Sequence, residues 1–473
     1  MRVLLAGYNV DTDVLAELQQ TSPKRDDVTP ETLSASYARI SRDPRPIDQL
    51  RQVARTEVAK ARQSNSAIIF KMGHHSVAEH AVFNFDILGV SRLALEEIEK
   101  FRLCGYTEKS QRYQKLEDDF VIPDEIRGTK DEGRFIETIK QQNKFYHRMV
   151  GEGIEPEDAR YITALATQGQ VGQTINARTL EFLFRRFASS QIAEVRQIGK
   201  QMYGLVSKIA PSIILFTEAN DYDQKTYGEI QTLNFKPQNK SKIKNIKSPI
   251  KEVTLLDYTK EADEKVLAGL LHTTTNLTFK ECFAKVKKLG AKAKKELIKS
   301  CFKYAEFYDR PQREFEYADL TYEIILSAAC FGQLKRHRMA TLTTQPYDPR
   351  LGVTIPESIR KKKLEKEFNQ LIIITNQAFT EISKTSPVAG QYLLTNAHRR
   401  RVLFKANTRE LYHISRLRED QHAQWDIQNI SRQMTKAAVK VMPLSMLFIG
   451  GKDRYPELYE KEFGRKPKVL PQY

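Results

Sequence analysis

The sequence predicts an α+β fold built as two tandem α/β repeats, each a mixed sheet with packed helices. Three observations predict it. The chain has 473 residues, and at roughly 150 residues per domain that length calls for two to four units. The run KPQNKSKIKNIKSPIK at 236–251 holds six lysines, two prolines and no acid, which is the composition of a solvated linker rather than a core element. The segments on either side of that run repeat one another in order, so the domains are expected at 1–235 and 252–473.

The repeat is read from three pairs of segments. ETLSASYARISRDPRPIDQL (31–50) pairs loosely with KVLAGLLHTTTNLTFKECF (265–283), and EHAVFNFDILGVSRLALEEIEKFR (79–102) pairs with EYADLTYEIILSAACFGQLKRHR (316–338). INARTLEFLFRR (175–186) answers ANTRELYHISRLR (406–418), each with an asparagine two residues before an arginine. VFNFDIL and LTYEIIL alternate or run apolar as strands do. PIDQLRQVARTEVAKARQS and NISRQMTKAAVKVMPLSML place apolar residues every three or four positions, as buried-face helices do. Trp425 reads as a core residue.

Seventy-six Lys and Arg against 59 Asp and Glu give a net charge of +17, which favours anionic partners without naming one. The lysine-rich run lacks interleaved aromatics for base stacking, so nucleic acid is not the expected partner. Cys104, Cys282, Cys301 and Cys330 show no ligand spacing, and neither a metal nor a disulfide framework is expected. MRVLLAGYNVDTDVLAELQQ turns acidic too soon for a signal peptide or a membrane span, and a cytoplasmic protein is expected. LLAGYN lacks the further glycines of a dinucleotide loop.

Two clusters carry chemistry. Arg336, His337 and Arg338 follow an apolar stretch; buried without counter-charge they would cost several kcal/mol, so they are either solvated or met by an anion. Gln333 and Arg336 are three apart, which on a helix puts both on one face. In the first repeat Glu108, Ser110 and Arg112 alternate, so an extended segment would turn all three the same way. Arg112 and Arg160 have the guanidinium fork that suits phosphate oxygens. Asn407 and Arg418, 11 apart, would lie on one helix face about 16 Å apart. GHHSVAEH offers His74, His75 and His80, but adjacent histidines cannot share a helix face, and a helix start with a packed His80 is an equal reading.

The segment 73–113 with its E-x-S-x-R-Y run, the intact RHR at 336–338 and the N-x-R…AQW segment at 406–428 together resemble the flavin-dependent thymidylate synthase (ThyX) family. The likeness covers roughly residues 28–215 and 265–450. Where the family has RHR, the first repeat holds Lys100, Phe101 and Arg102; where the family has E-x-S-x-R, the second holds Thr344, Pro346 and Asp348. Further family positions divide likewise. Gln333 stands against Glu97, Arg160 against Gln391, and Arg418 against Phe187.

Members of that family are homotetramers whose sites are assembled between subunits. The resemblance therefore implies a homodimer with four repeats, and sites built from unlike repeats, within one chain or between chains. It implies Arg336 and Arg418 as catalytic residues, with Gln333, Glu108, Ser110, Arg112 and Arg160 joining them on dUMP. His337, Arg338, Asn407 and His413 would hold FAD, with Ser41 beside Arg39, and His74, Ser76 and Glu79 near flavin or folate. The implied reaction takes a one-carbon unit from methylenetetrahydrofolate, with NADPH as reductant, to C5 of dUMP. Two alternatives stay open. Gly105 and Thr107, or Thr341 and Thr343, replace the signature's serine and asparagine and permit another uridine nucleotide; a non-catalytic nucleotide- or RNA-binding relic would also use the charge.

Overall fold

A computed structural model describes residues 1–20, 28–40, 42–233 and 251–469. Ser41 and 236–250 of the lysine-rich run lie outside the described residues. The chain forms two compact units, Met1–Lys244 with Ile355–Asn396, and Asn245–Thr354 with Ala397–Tyr473. Repeats and units therefore differ: a segment of the second repeat belongs to the first unit.

In the first unit β1 (Arg2–Tyr8), β2 (Val82–Ser91), β3 (Cys104–Glu108) and β4 (Gln168–Asn176) form one sheet in the order β1-β2-β4-β3. The period-two pattern of β2 buries Phe83, Phe85 and Ile87, each contributing ~1.5–3 kcal/mol of burial. Helices Ala177–Ala188 and Ala193–Val206 supply Leu180, Leu183, Val195, Ile198 and Met202 to the same core. In the second unit β5 (Val253–Tyr258), β6 (Asp319–Ser327), β7 (Thr341–Thr344) and β8 (Arg399–Asn407) repeat the arrangement as β5-β6-β8-β7. Every ladder in both sheets is antiparallel. The mixed sheet expected from sequence is thus corrected, because hydrophobic alternation fixes a strand's faces and leaves its direction open.

The duplication reaches the caps. Ser91 and Ser327 each end a central strand and cap the next helix, Arg92–Ile98 or Ala328–Leu334, by accepting the N–H of Ala94 or Cys330. Each serine hydroxyl also donates 2.6 Å to an acid, Glu194 or Asp426. Asn176 and Asn407 accept the N–H three residues on and so start helices Ala177–Ala188 and Thr408–Arg418, a cap worth ~1 kcal/mol. The helix expected over 46–64 is two, Ile47–Thr56 and Val58–Ser66, broken at Glu57. Trp425 is a correction: it opens helix Trp425–Val441 and is 38% exposed.

Within the first unit, helix Lys130–Gly151 packs on helix Glu365–Thr385, its counterpart from the other repeat. Four buried positions match in register: Phe135, Thr138, Ile139 and Gln142 answer Phe368, Leu371, Ile372 and Thr375. Gln142 donates to Thr375 Oγ1 at 3.0 Å, so equivalent residues meet each other. The same happens at Ala164 and Thr395, an antiparallel bridge flanked by Leu165 N–H to Leu394 O and Asn396 N–H to Thr163 O. Such a contact, in which each side presents the same patch, is isologous. Among the described residues no helix is long and apolar enough to cross a membrane.

Candidate active site

Each unit carries one set of the expected residues. In the first, Glu108 ends β3 and Lys109 N–H makes the last bond to Gln170 O. The chain then turns instead of staying extended. Ser110 Oγ accepts Arg112 N–H at 3.2 Å, and Ser110 O accepts from Gln114 N–H at 3.2 Å, a serine turn that competes with the ladder. The expectation that Glu108, Ser110 and Arg112 share an extended face is corrected. Even so, Glu108, Ser110, Gln111, Tyr146, Arg160 and Thr163 line one cleft of about 190 Å³.

Arg160 is buried. Its Nε donates to Glu157 O at 3.1 Å, while Nη2 is buried without a hydrogen-bond partner. Burial, with Arg92 and Arg112 nearby, lowers its pKa. Arg112 lies 2.5 Å from Glu157 Oε1. A buried guanidinium with an unmade bond, facing a cleft, suits an incoming anion. Asn396, from the second repeat, backs the cleft: its Nδ2 donates to Arg160 O and to Thr163 Oγ1. The GHHSVAEH segment lies apart from this cleft's lining. His74 and Ser76 are exposed, Glu79 is paired with Arg178 at 2.5 Å, and His80 is exposed although its ring meets Tyr37 at 4.4 Å. No cluster of three or more metal-ligating side chains occurs among the described residues.

In the second unit helix Ala328–Leu334 stops before Arg336, so Gln333 and Arg336 do not share a helix face, another correction. Instead Arg336 Nε folds back onto Gly332 O at 3.3 Å, where a cation meets the helix's carbonyl end. Asn407 is not a helix-interior residue beside Arg418. It is the cap, and its carboxamide oxygen is spent on Glu410 N–H. His337 is buried and Arg336 is exposed, with Arg338, His413 and Arg418 between. Arg418 Nε donates to His337 Nε2 at 2.9 Å, and Arg418 Nη2 donates to Gln333 O at 3.2 Å. Gln333 in turn donates to Gln424 Oε1 at 3.3 Å. Burial first, and then the Arg418 charge, pushes the His337 pKa down to about 3. Its ring is neutral.

The sequence reading missed Glu410, whose Oε1 sits 3.4 Å from His337 Nδ1. Its position three residues after a capping asparagine is the signal that could have found it. Burial raises its pKa, against the opposing charges of His413, Arg310 and Arg409.

The two repeats differ most sharply here. His337, His413 and Arg418 correspond to Phe101, Phe182 and Phe187. The His337 and His413 rings are edge to face at 5.7 Å; Phe101 meets Phe182 at 5.8 Å and Phe187 at 5.9 Å, also edge to face. One spatial arrangement is polar in the second repeat and apolar in the first. Phe101 and Phe187 are core residues there.

A family described as thymidylate synthase complementing protein matches residues 25–212 and 254–444, once per repeat. The chain belongs to that family. Among thymidylate synthase complementing proteins and their relatives, a flavin-dependent thymidylate synthase of Geobacter sulfurreducens is 32% identical over 189 residues, 39% of this chain and 80% of its own. A UPF0159 protein of Chlamydia muridarum is 23% identical over 446 residues, 86% of this chain and 83% of its own. The first is thus similar to one repeat and the second to both. A solved UMP/dUMP methylase from Streptomyces cacaoi, bound with 5-Br dUMP, is 18% identical and covers 45% of this chain and 92% of its own, with a TM-score of 0.35. Two family matches and two sheets of one strand order bear out the tandem duplication.

Proposed function

We propose that the chain is a flavin-dependent thymidylate synthase, converting dUMP to dTMP with methylenetetrahydrofolate and NADPH. One observation carries this reading: the His337–His413–Arg418 cluster is polar in one repeat and aromatic in the other, whereas Glu108, Ser110, Arg112 and Arg160 are kept where it is aromatic. A binding relic has no reason to lose complementary halves. An enzyme whose nucleotide draws on both sets does, whether one chain supplies both or two copies do.

The residues fit FAD and a nucleotide as ligands. Arg418 donates to a buried neutral imidazole that Arg336 and Arg338 flank in sequence, and guanidinium donors of this kind suit phosphate and ring carbonyls. When bound, the flavin supplies the carbon transfer and the reducing equivalents. The protein does the rest. Arg418, fixed by two bonds to protein, presents a preorganised positive charge to the pyrimidine carbonyls. Ser110 and Arg160, which line the cleft, hold the nucleotide phosphate, and Arg112, outside the lining and paired with Glu157, joins them on exchanging that partner for the phosphate. Gln333 and Glu108 orient the base and sugar, and Arg338, His413 and Asn407 border the flavin. The same reading makes the protein a cytoplasmic homodimer of four repeats.

The test is a visible spectrum of the purified full chain, followed by product analysis with dUMP, methylenetetrahydrofolate and NADPH. Bound flavin and dTMP are expected. A colourless protein that takes up no FAD and yields no product overturns the reading. Gly105 and Thr107, where the family has serine and asparagine, favour a second reading with another uridine nucleotide; turnover of UMP in place of dUMP identifies it.

A further inference from the structure

Glu410 and Arg418 lie on one helix, Thr408–Arg418, two turns apart, and His337 bridges them from the chain that follows β6. Hydrogen positions on the imidazole follow from its neighbours. A guanidinium can only donate, so the 2.9 Å contact from Arg418 Nε requires a bare lone pair on His337 Nε2. The single proton of the neutral ring is then on Nδ1. That nitrogen is buried and has no hydrogen-bond partner, and the Glu410 carboxylate oxygen is 3.4 Å away. The separation is longer than a well-formed hydrogen bond, yet in a buried setting the field of a carboxylate still strongly favours a proton facing it. The opposite tautomer would set N–H against N–H at Arg418 and a lone pair against the carboxylate.

We propose that Glu410 is a positioning residue: it holds the His337 proton on Nδ1, and so keeps Nε2 an acceptor that fixes the angle of the Arg418 guanidinium. The capping bond from Asn407 to Glu410 N–H sets the first turn of the helix and with it the carboxylate. Asn407 thus acts on Glu410 through the backbone. The other repeat supports treating these groups as one unit. Where His337 and Arg418 become Phe101 and Phe187, Glu410 becomes Thr179, although the cap is retained at Asn176. An acid kept only for helix capping would have no reason to leave with the imidazole. The titratable and charged groups facing Glu410 are His337, His413, Arg310 and Arg409, and those facing His337 are Arg418, Glu410 and His413.

The geometric part stands without the proposed reaction; only the catalytic consequence rests on it. The experiment is nitrogen NMR of the histidine rings in the full chain near pH 7, with His337→Gln identifying the resonance. The wild-type ring should show a protonated Nδ1 and an unprotonated Nε2. Glu410→Leu should mix the tautomers and release the Arg418 Nε–H from its shifted position, and Glu410→Gln, whose carbonyl can still accept, should restore most of the Nδ1–H signal. If the chain makes dTMP, Glu410→Leu should lower kcat about tenfold or more with little change in KM for dUMP, the pattern of a transition-state contact misaligned. A wild-type ring protonated on Nε2 overturns the proposal, as does a Glu410→Leu ring still held as Nδ1–H. Correct tautomers in a chain that makes no product would leave Glu410 in its role and remove the proposed reaction instead.

Discussion

Phe187 meets Phe101 edge to face at 5.9 Å in the first repeat, at the two positions where the second repeat joins Arg418 to His337 by a 2.9 Å hydrogen bond. The same backbone corner has been given over to core packing in one copy and to charge in the other. Reversing either should fail, for different reasons.

Arg418→Ala should reduce the rate of dTMP formation by roughly a hundredfold or more with FAD still taken up, since it removes one preorganised charge. Phe187→Arg should restore nothing and should destabilise the protein by ~3 kcal/mol or more, because it buries an unpaired charge beside Phe101. Turnover and urea midpoints on both variants check this; a mild effect of Arg418→Ala would remove it from the site.

Residues 355–396 complete the first unit, so residues 1–235 expressed alone should leave the face containing Phe135, Ile139 and Gln142 uncovered. That fragment should aggregate or lose cooperative unfolding, and co-expression with 252–473 should rescue it. Size-exclusion chromatography and thermal unfolding measure both. A monomeric, cooperatively folding 1–235 would show that the helix pairing is dispensable.

The buried His337 gives the acid limb of stability a definite sign. Its folded pKa, about 3, lies below the ordinary 6.5, so the native state resists a proton that the unfolded chain accepts. Its contribution is present above about 6.5 and is lost as pH falls toward about 3, by up to ~1.4 kcal/mol per pH unit. Glu194 acts the other way, since burial raises its pKa despite bonds from Ser91 and Tyr392, and its cost grows as pH rises through the ordinary carboxylate range. Urea midpoints between pH 7 and 4 should fall less steeply for His337→Gln than for wild type; parallel slopes would contradict a neutral buried ring.

Mixing full chains that carry Arg112→Ala and Arg336→Ala separately tells which copy completes the proposed site. Recovered activity after subunit exchange means that two chains cooperate, and no recovery means that one chain supplies both sets. Activity from the second repeat alone, with Pro346 and Asp348 at the altered positions, would end the composite reading.

Much of this architecture was legible because order survives divergence. Ser91, Ser327, Asn176 and Asn407 stand at matching places and do matching work as caps. Alternation misled at Ser110, where a side-chain hydroxyl bonding two residues on ended the ladder. Periodicity misled at Arg336, since a helix of seven residues stopped short of it. Phe101 and Phe187 read as two separate losses, and only proximity reveals them as one aromatic cluster. Glu410 went unread because its one local sign, a place three residues after a capping asparagine, does not say that it faces an imidazole 73 residues earlier.

At a true dyad a side chain on the axis confronts its own identical twin. The pair Gln142 and Thr375, standing at equivalent positions yet unlike, escapes that rule because the two copies share one chain. An amide donor meets a smaller hydroxyl, and the fit is lopsided. Two first-repeat helices brought together would place glutamine on glutamine and overfill the seam, and two second-repeat helices would place threonine on threonine and leave a void. The seam therefore works as an address: each copy is matched to the other kind and mismatched to itself, a discrimination that no assembly of identical subunits could encode.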